Sequence, residues 1–198
     1  MSSLSALVKE LRGKTGAGIL DCQKALQETQ NDVEKAVDLL RQKGLAAAQK
    51  KAGRETKEGL ISAYIHSGSK IGVLLEINCE TDFVARNEEF QSFAKEVALQ
   101  IAASQPLFVK RDDVPADLIE REKNVYLGQI KESGKPEAAW EKIIKGKLEK
   151  YYQEQCLLEQ AFIKDPSISI QDLLSQKIAK LGENLTISRF TRYQLGQD

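Results

Sequence analysis

The run Ile71-Gly72-Val73-Leu74-Leu75-Glu76-Ile77-Asn78 leads directly into Cys79-Glu80-Thr81-Asp82-Phe83-Val84-Ala85-Arg86-Asn87. In the first part Ile71, Val73, Leu75 and Ile77 alternate cleanly, the period of a strand with one buried face. A helix-like run begins near Glu88. Cys79 to Asn87 is therefore a strand-to-helix corner, a place where a rigid scaffold presents side chains outward. Thr81 is a good N-cap, and Asp82 falls in the first turn, where negative charge is favoured. Phe83 stands between an acid and a valine. Its ring either tucks under the following helix or projects as an anchor for a partner. Single apolar residues near surfaces are usually unremarkable, which favours the tucked reading.

Before the corner, Gly59 to His66 is a second strand-like run, rich in Ile, Leu and Tyr. Ser67-Gly68-Ser69 is the short connection of a hairpin. His66, the only histidine, sits at that turn with no second histidine to share a metal or catalytic role. After the corner, Asn87 caps a helix carrying Phe90, Phe93, Ala94, Val97 and Ile101 on one stripe, the pattern of core packing. Pro106 to Lys110 reads as extended. Pro115 opens a charged helix, Ala116 to Lys131, and Ser133-Gly134-Lys135-Pro136 breaks it, with Pro136 at a first helical position. The next helix, Glu137 to Gln155, places Trp140, Ile143, Ile144, Leu148 and Tyr151 on one face. Asp165-Pro166 reads as a turn. Ser169 caps a helix from Gln171 to Leu181, and Gly182 ends it. Leu185 to Tyr193 is strand-like, though its alternation is untidy, and would add a third strand to the hairpin.

The first fifty residues read as helical. Leu4, Leu7, Val8 and Leu11 share a face, with Gly13 as the stop. Ile19, Cys22, Ala25 and Leu26 form a second inward face. Asn31 or Asp32 caps a third run with Val33, Ala36, Val37 and Leu40, ended by Gly44. Leu45 to Ala52 reads as a helical linker. The fold class is α+β: an N-terminal three-helix bundle over residues 1–53, then a small antiparallel sheet packed with helices over 54–198.

Composition excludes several function classes. The 29 basic and 29 acidic side chains cancel, whereas a protein gripping nucleic acid through its phosphates carries a basic excess or stripe. No apolar stretch approaches the roughly 20 residues needed to cross a membrane, and the N-terminal residues lack the apolar run of a signal peptide. Cys22, Cys79 and Cys156 are three, odd in number and far apart. They read as reduced, packed thiols of a cytosolic protein. Gly13-Lys14-Thr15 imitates the tail of a phosphate-binding loop, but position 8 is Val and a helix precedes it. Gly16-Ala17-Gly18 lacks the third glycine of a dinucleotide fingerprint, because position 21 is Asp. There is no credible Ser-His-Asp set, and the carboxylates sit among lysines, as on a solvated surface. No catalytic residue, cofactor or metal site is expected.

Several stretches together resemble the elongation factor Ts family. Val8-Lys9-Glu10-Leu11-Arg12, Thr15-Gly16-Ala17-Gly18-Ile19-Leu20-Asp21-Cys22 and Lys24-Ala25-Leu26 resemble its opening. Asn78-Cys79-Glu80-Thr81-Asp82-Phe83-Val84-Ala85 is similar to its core signature. Gly134-Lys135-Pro136, Leu157-Leu158-Glu159-Gln160-Ala161-Phe162 and Arg189-Phe190 with Arg192-Tyr193 resemble later landmarks, so the likeness spans nearly the whole chain.

The resemblance implies a cytoplasmic guanine-nucleotide exchange factor for elongation factor Tu, without chemistry of its own. It implies that the bundle is similar to a ubiquitin-associated domain and docks on the GTPase domain, with Leu11, Arg12, Ile19 and Leu20 in the contact. It also implies that Thr81, Asp82, Phe83 and Val84 form a wedge. The Phe83 ring would enter between helices of the GTPase and disturb the elements holding Mg²⁺ and the β-phosphate. That reverses the tucked reading of Phe83. Longer members carry a second core subdomain and a helical hairpin. This chain resembles the short form, and its free strand edge leaves room for a homodimer. Two other readings stand beside it. One is an adaptor whose ubiquitin-associated-type bundle binds protein through Gly16 to Leu20. The other is a hydrolase using two carboxylates facing one pocket.

Overall fold

The computed structural model describes residues 3–134 and 136–197; Lys135, in the middle of the Gly134-Lys135-Pro136 break, lies outside them. Among the described residues the helices are α1 (Leu4–Thr15), α2 (Ile19–Glu28), α3 (Val33–Lys51), α4 (Asp82–Ala85), α5 (Glu88–Ser104), α6 (Ala116–Glu132), α7 (Trp140–Gln155) and α8 (Ile170–Leu181). The strands are β1 (Glu58–Ile65), β2 (Ile71–Cys79), β3 (Ala161–Phe162), β4 (Asp165–Ser169) and β5 (Leu185–Gln194). The fold is α+β, as the periodicities predict. The chain parts into two compact units. One comprises Met1–Leu60, Ile77–Phe93 and Asp172–Thr186; the other comprises Ile61–Glu76, Ala94–Gln171 and Ile187–Asp198.

In the first unit, α1, α2 and α3 bury Val8, Leu11, Cys22, Ala25, Leu26 and Ala36 together, with Val33, Val37 and Leu40 packed around them. The caps follow side-chain chemistry. The Ser3 hydroxyl accepts from the Ala6 amide at 3.3 Å, and the Asp32 carboxylate accepts from Lys35 at 3.1 Å. Two expected helix ends fall elsewhere. α1 runs through Gly13 and stops at Gly16, while α3 runs through Gly44 and absorbs the expected linker as far as Lys51. A glycine inside a helix costs only about 1 kcal/mol, so Gly44 need not end α3, which lies next to α8 there. A Cβ there would lie 3.9 Å from the Ala179 Cβ, and Arg41 forks onto both carboxylate oxygens of Asp172 at 3.3 and 2.7 Å.

The sheet has the order β1-β2-β5. The hairpin closes where the His66 amide donates to the Ile71 carbonyl at 2.9 Å. β5 runs antiparallel to β2, since the Leu195 amide at its end donates to the Lys70 carbonyl at the start of β2, 2.8 Å away. Val73, Leu75, Ile77 and Cys79 of β2 are buried, the face that alternation assigns inward. The untidy alternation of β5 has a structural counterpart. Leu185 and Ile187 are buried, yet Arg189 reaches Glu76 at 2.7 Å and Arg192, of the other parity, reaches the Ala102 carbonyl at 3.3 Å.

In the second unit, β3 and β4 form a two-stranded antiparallel ribbon pairing Ala161 with Ser169 and Phe162 with Asp165. Asp165-Pro166 was expected to turn; it lies in β4 instead. A proline, lacking an N–H, is tolerated where a strand has a free edge. The ribbon is anchored by Gln100, whose amide donates to Gln160 at 3.1 Å and to the Ala161 carbonyl at 3.2 Å, and accepts from the Ile163 amide at 2.9 Å. Gln100 and Gln160 are both buried, so their hydrogen bonds offset a desolvation cost. α6 and α7 bury little beyond Ile130. Near them Arg111 bridges Glu149 and Glu159 and stacks over the Tyr152 ring.

Candidate functional site

The site grows from the end of β2. Cys79 is fully buried, and burial followed by the charge of Glu183 pushes its thiol up to about 11. Thr81 then adopts an extended conformation, φ −131° and ψ 156°, and its hydroxyl caps the single turn of α4 through the Val84 amide. Backbone bonds from Ala85 to Thr81, 3.2 Å, and from Arg86 to Asp82, 3.1 Å, close that turn. The Asn87 side chain accepts from Glu89 at 2.8 Å and starts α5. At helical spacing Phe83 shares its face with Arg86 and Asn87, both exposed,. The inward positions of the corner belong to Cys79 and Phe90, each with no exposed surface. Phe83 is left 79% exposed. The tucked reading is thus corrected: the inward positions are taken by Cys79 and Phe90, and the single turn of α4 buries none of its own side chains. Asp82, beside the ring, pairs with Arg86 at 2.7 Å.

A residue that sequence reasoning passed over holds this corner. Glu183, two positions past the end of α8, accepts the Thr81 hydroxyl at 2.6 Å, the Thr81 amide at 3.0 Å and the Glu80 amide at 3.1 Å. The return contact is Glu80 accepting from the Asn184 amide at 2.6 Å, while Asn184 donates to the Arg54 carbonyl at 2.8 Å. Gly182 makes the clasp reachable. At φ 80° it occupies the left-handed region that ends helices,. The Gly182 stop was legible; the carboxylate beside it was an unremarkable loop acid.

Of the bundle residues, Ile19 is 52% and Leu20 69% exposed, and Arg12 is exposed. Leu11 has no exposed surface. It lies in the bundle core with Cys22 and Leu26 and forms no part of an exposed face. The same unit holds this patch and the Thr81–Val84 corner. Contacts within it run from α3 to α8 through Arg41 and Asp172. They continue from α8 to α5, where Lys177 and Lys180 both pair with Glu89. These hydrogen bonds, Lys177 first, hold the Glu89 carboxyl below its ordinary value. Among the described residues no three His, Cys, Asp or Glu side chains gather to hold a metal, and no helix is long and apolar enough to cross a membrane.

The fold defines a class, the small α+β protein with an N-terminal helical bundle and a three-stranded sheet. The comparisons narrow it. A family model described as elongation factor TS matches residues 45–197. Elongation factor Ts of Carboxydothermus hydrogenoformans is 57% identical over 193 residues, covering 98% of this chain and 89% of its own. That of Thermodesulfovibrio yellowstonii is 57% identical over 197 residues, 100% of this chain and 98% of its own. That of Fervidobacterium nodosum is 56% identical with 100% of both chains covered. The chain belongs to the elongation factor Ts family, whose place is guanine-nucleotide exchange in the elongation phase of protein biosynthesis.

Proposed function

We propose that this chain binds elongation factor Tu in its GDP-bound form and speeds GDP release, so that GTP can rebind, with no chemistry of its own. The observation that carries the reading is the 79% exposed Phe83 ring on a corner fastened by Glu183. Burying such a ring is worth about 2 kcal/mol, roughly thirtyfold in affinity. The bundle docks through Arg12, Ile19 and Leu20 with Leu11 as support. The wedge Thr81, Asp82, Phe83 and Val84 presses on the elements that hold Mg²⁺ and phosphate. Mg²⁺ needs near-ideal octahedral geometry and few protein ligands, so a small displacement loosens it. A factor that prefers the nucleotide-free partner must weaken GDP binding by the same ratio. The exposed Asp82–Arg86 pair is weak and free to exchange partners.

The same proposal places the protein in the cytoplasm, treats residues 1–53 as a docking bundle distinct from the 54–198 core, and involves no direct nucleic-acid contact. A second copy of the chain is a further proposed partner. Ile61, Ile65, Leu74 and Tyr193 are each more than half exposed. A Cβ on Gly72 would touch Ile65 at 3.2 Å, which sets the strand-β1 residues on the same face as Leu74. The adaptor alternative uses the face near Gly16 to Leu20 and leaves Phe83 without a purpose.

The deciding experiment is release of a fluorescent GDP from purified elongation factor Tu. Substoichiometric amounts of the chain are expected to accelerate it, and Phe83→Ala to abolish most of the acceleration. A folded chain without effect would overturn the reading and bring the adaptor forward.

A further inference from the structure

We propose that Glu183 is the positioning residue of the wedge: its carboxylate fixes the Glu80–Thr81 backbone so that Phe83 is presented ready-made to the partner. The inference rests on the exchange-factor reading and adds a residue to it. Three donors converge on one side chain, the Glu80 amide at 3.1 Å, the Thr81 amide at 3.0 Å and the Thr81 hydroxyl at 2.6 Å. That hydroxyl is also the N-cap of α4. Donating its proton to Glu183 orients its lone pairs toward the Val84 amide, so one carboxylate sets both the entry to the turn and its cap. A four-residue helix cannot hold itself, because helix nucleation is unfavourable and one turn adds few bonds. The reciprocal bond from the Asn184 amide to Glu80, 2.6 Å, makes the clasp two-way. Hydrogen bonds to a charged carboxylate are the stronger kind. Preorganisation of this sort removes an ordering cost that would otherwise be met at the moment of binding.

Glu183 is partly buried and bonds to Glu80 and Thr81, so its effect on the partner runs through the corner that carries Phe83. A double-mutant cycle reads this directly. Glu183→Ala is expected to lower the kcat of GDP release at least about tenfold, the scale of a misplaced group, with KM for the partner within about threefold because the bundle patch is untouched. In a Phe83→Ala background the same change should cost less than about twofold. Amide hydrogen exchange at Val84, Ala85 and Arg86, measured on the chain alone, should quicken in Glu183→Ala and be largely restored in Glu183→Gln, which keeps an acceptor oxygen. Should Glu183→Ala fail to fold, Glu183→Gln carries the cycle with a smaller effect of the same pattern. An equal loss of exchange with and without Phe83 would overturn the proposal, as would unchanged amide exchange at the corner. If the unaltered chain fails to release GDP, the exchange-factor reading falls. The amide measurement then still decides whether Glu183 holds the turn.

Discussion

Phe83 keeps an aromatic ring in water at a position where two neighbouring inward sites are filled by Cys79 and Phe90. A side chain so exposed contributes little to folding. Phe83→Ala should therefore shift unfolding free energy by no more than about 0.5 kcal/mol, measured by urea titration, while exchange activity collapses. A loss of several kcal/mol would mean the ring packs in solution. Glu89 carries the opposite kind of role. Bonds from Lys177, then Lys180, depress its pKa. The ionised pair therefore adds stability above the ordinary glutamate value of about 4.3, and that share disappears as pH falls through the lower folded value. With the Lys177 and Glu89 side chains 16% and 29% accessible, Glu89→Gln is expected to cost about 1 kcal/mol near neutrality. The gap from the unaltered chain should close in acid, once pH falls below the depressed folded value,.

Between elements, close backbone approach decides where β1 can lie on β2. Gly59 sits at φ 147°, and a Cβ there would fall 2.2 Å from the Ile77 carbonyl oxygen and 2.7 Å from the Asn78 Cα. Both atoms are main chain, so neither can swing aside. Gly59→Ala should cost about 3 kcal/mol through overpacking and backbone strain, visible as a lower urea midpoint, and should disturb the strand that feeds the Glu80–Thr81 corner. An unchanged midpoint would show that β1 can shift without cost. The hydrophobic stripes of β2 and α5 were legible from their periods, since burial follows local spacing when one face is covered. The β3–β4 ribbon was not. Its pairs are short, and what holds it is Gln100, placed 60 residues from Gln160 along the chain.

For the whole molecule, the homodimer proposal bears on how many copies act together. Ile61, Ile65 and Leu74 are exposed on the sheet, where the proposed second copy would pack. If a second copy covers them, light scattering should give twice the 22.1 kDa chain mass. Leu74→Glu, which places a charge in the patch, should return a folded monomer. A monomer in both cases would remove the homodimer and leave the exchange reading standing.

From the sequence alone came the α+β class, the helical and strand periods, the corner at Cys79 to Asn87 and the family likeness carried by its motifs. Each is a local pattern, written in residues a few positions apart. Only tertiary structure decided that Phe83 faces water, that Leu11 is buried in the bundle core, and that α3 continues past Gly44. It also supplied Glu183, which bonds to Thr81 across 102 residues of chain. A loop glutamate carries no periodic signature. Its role exists only once β2 and the end of α8 lie side by side.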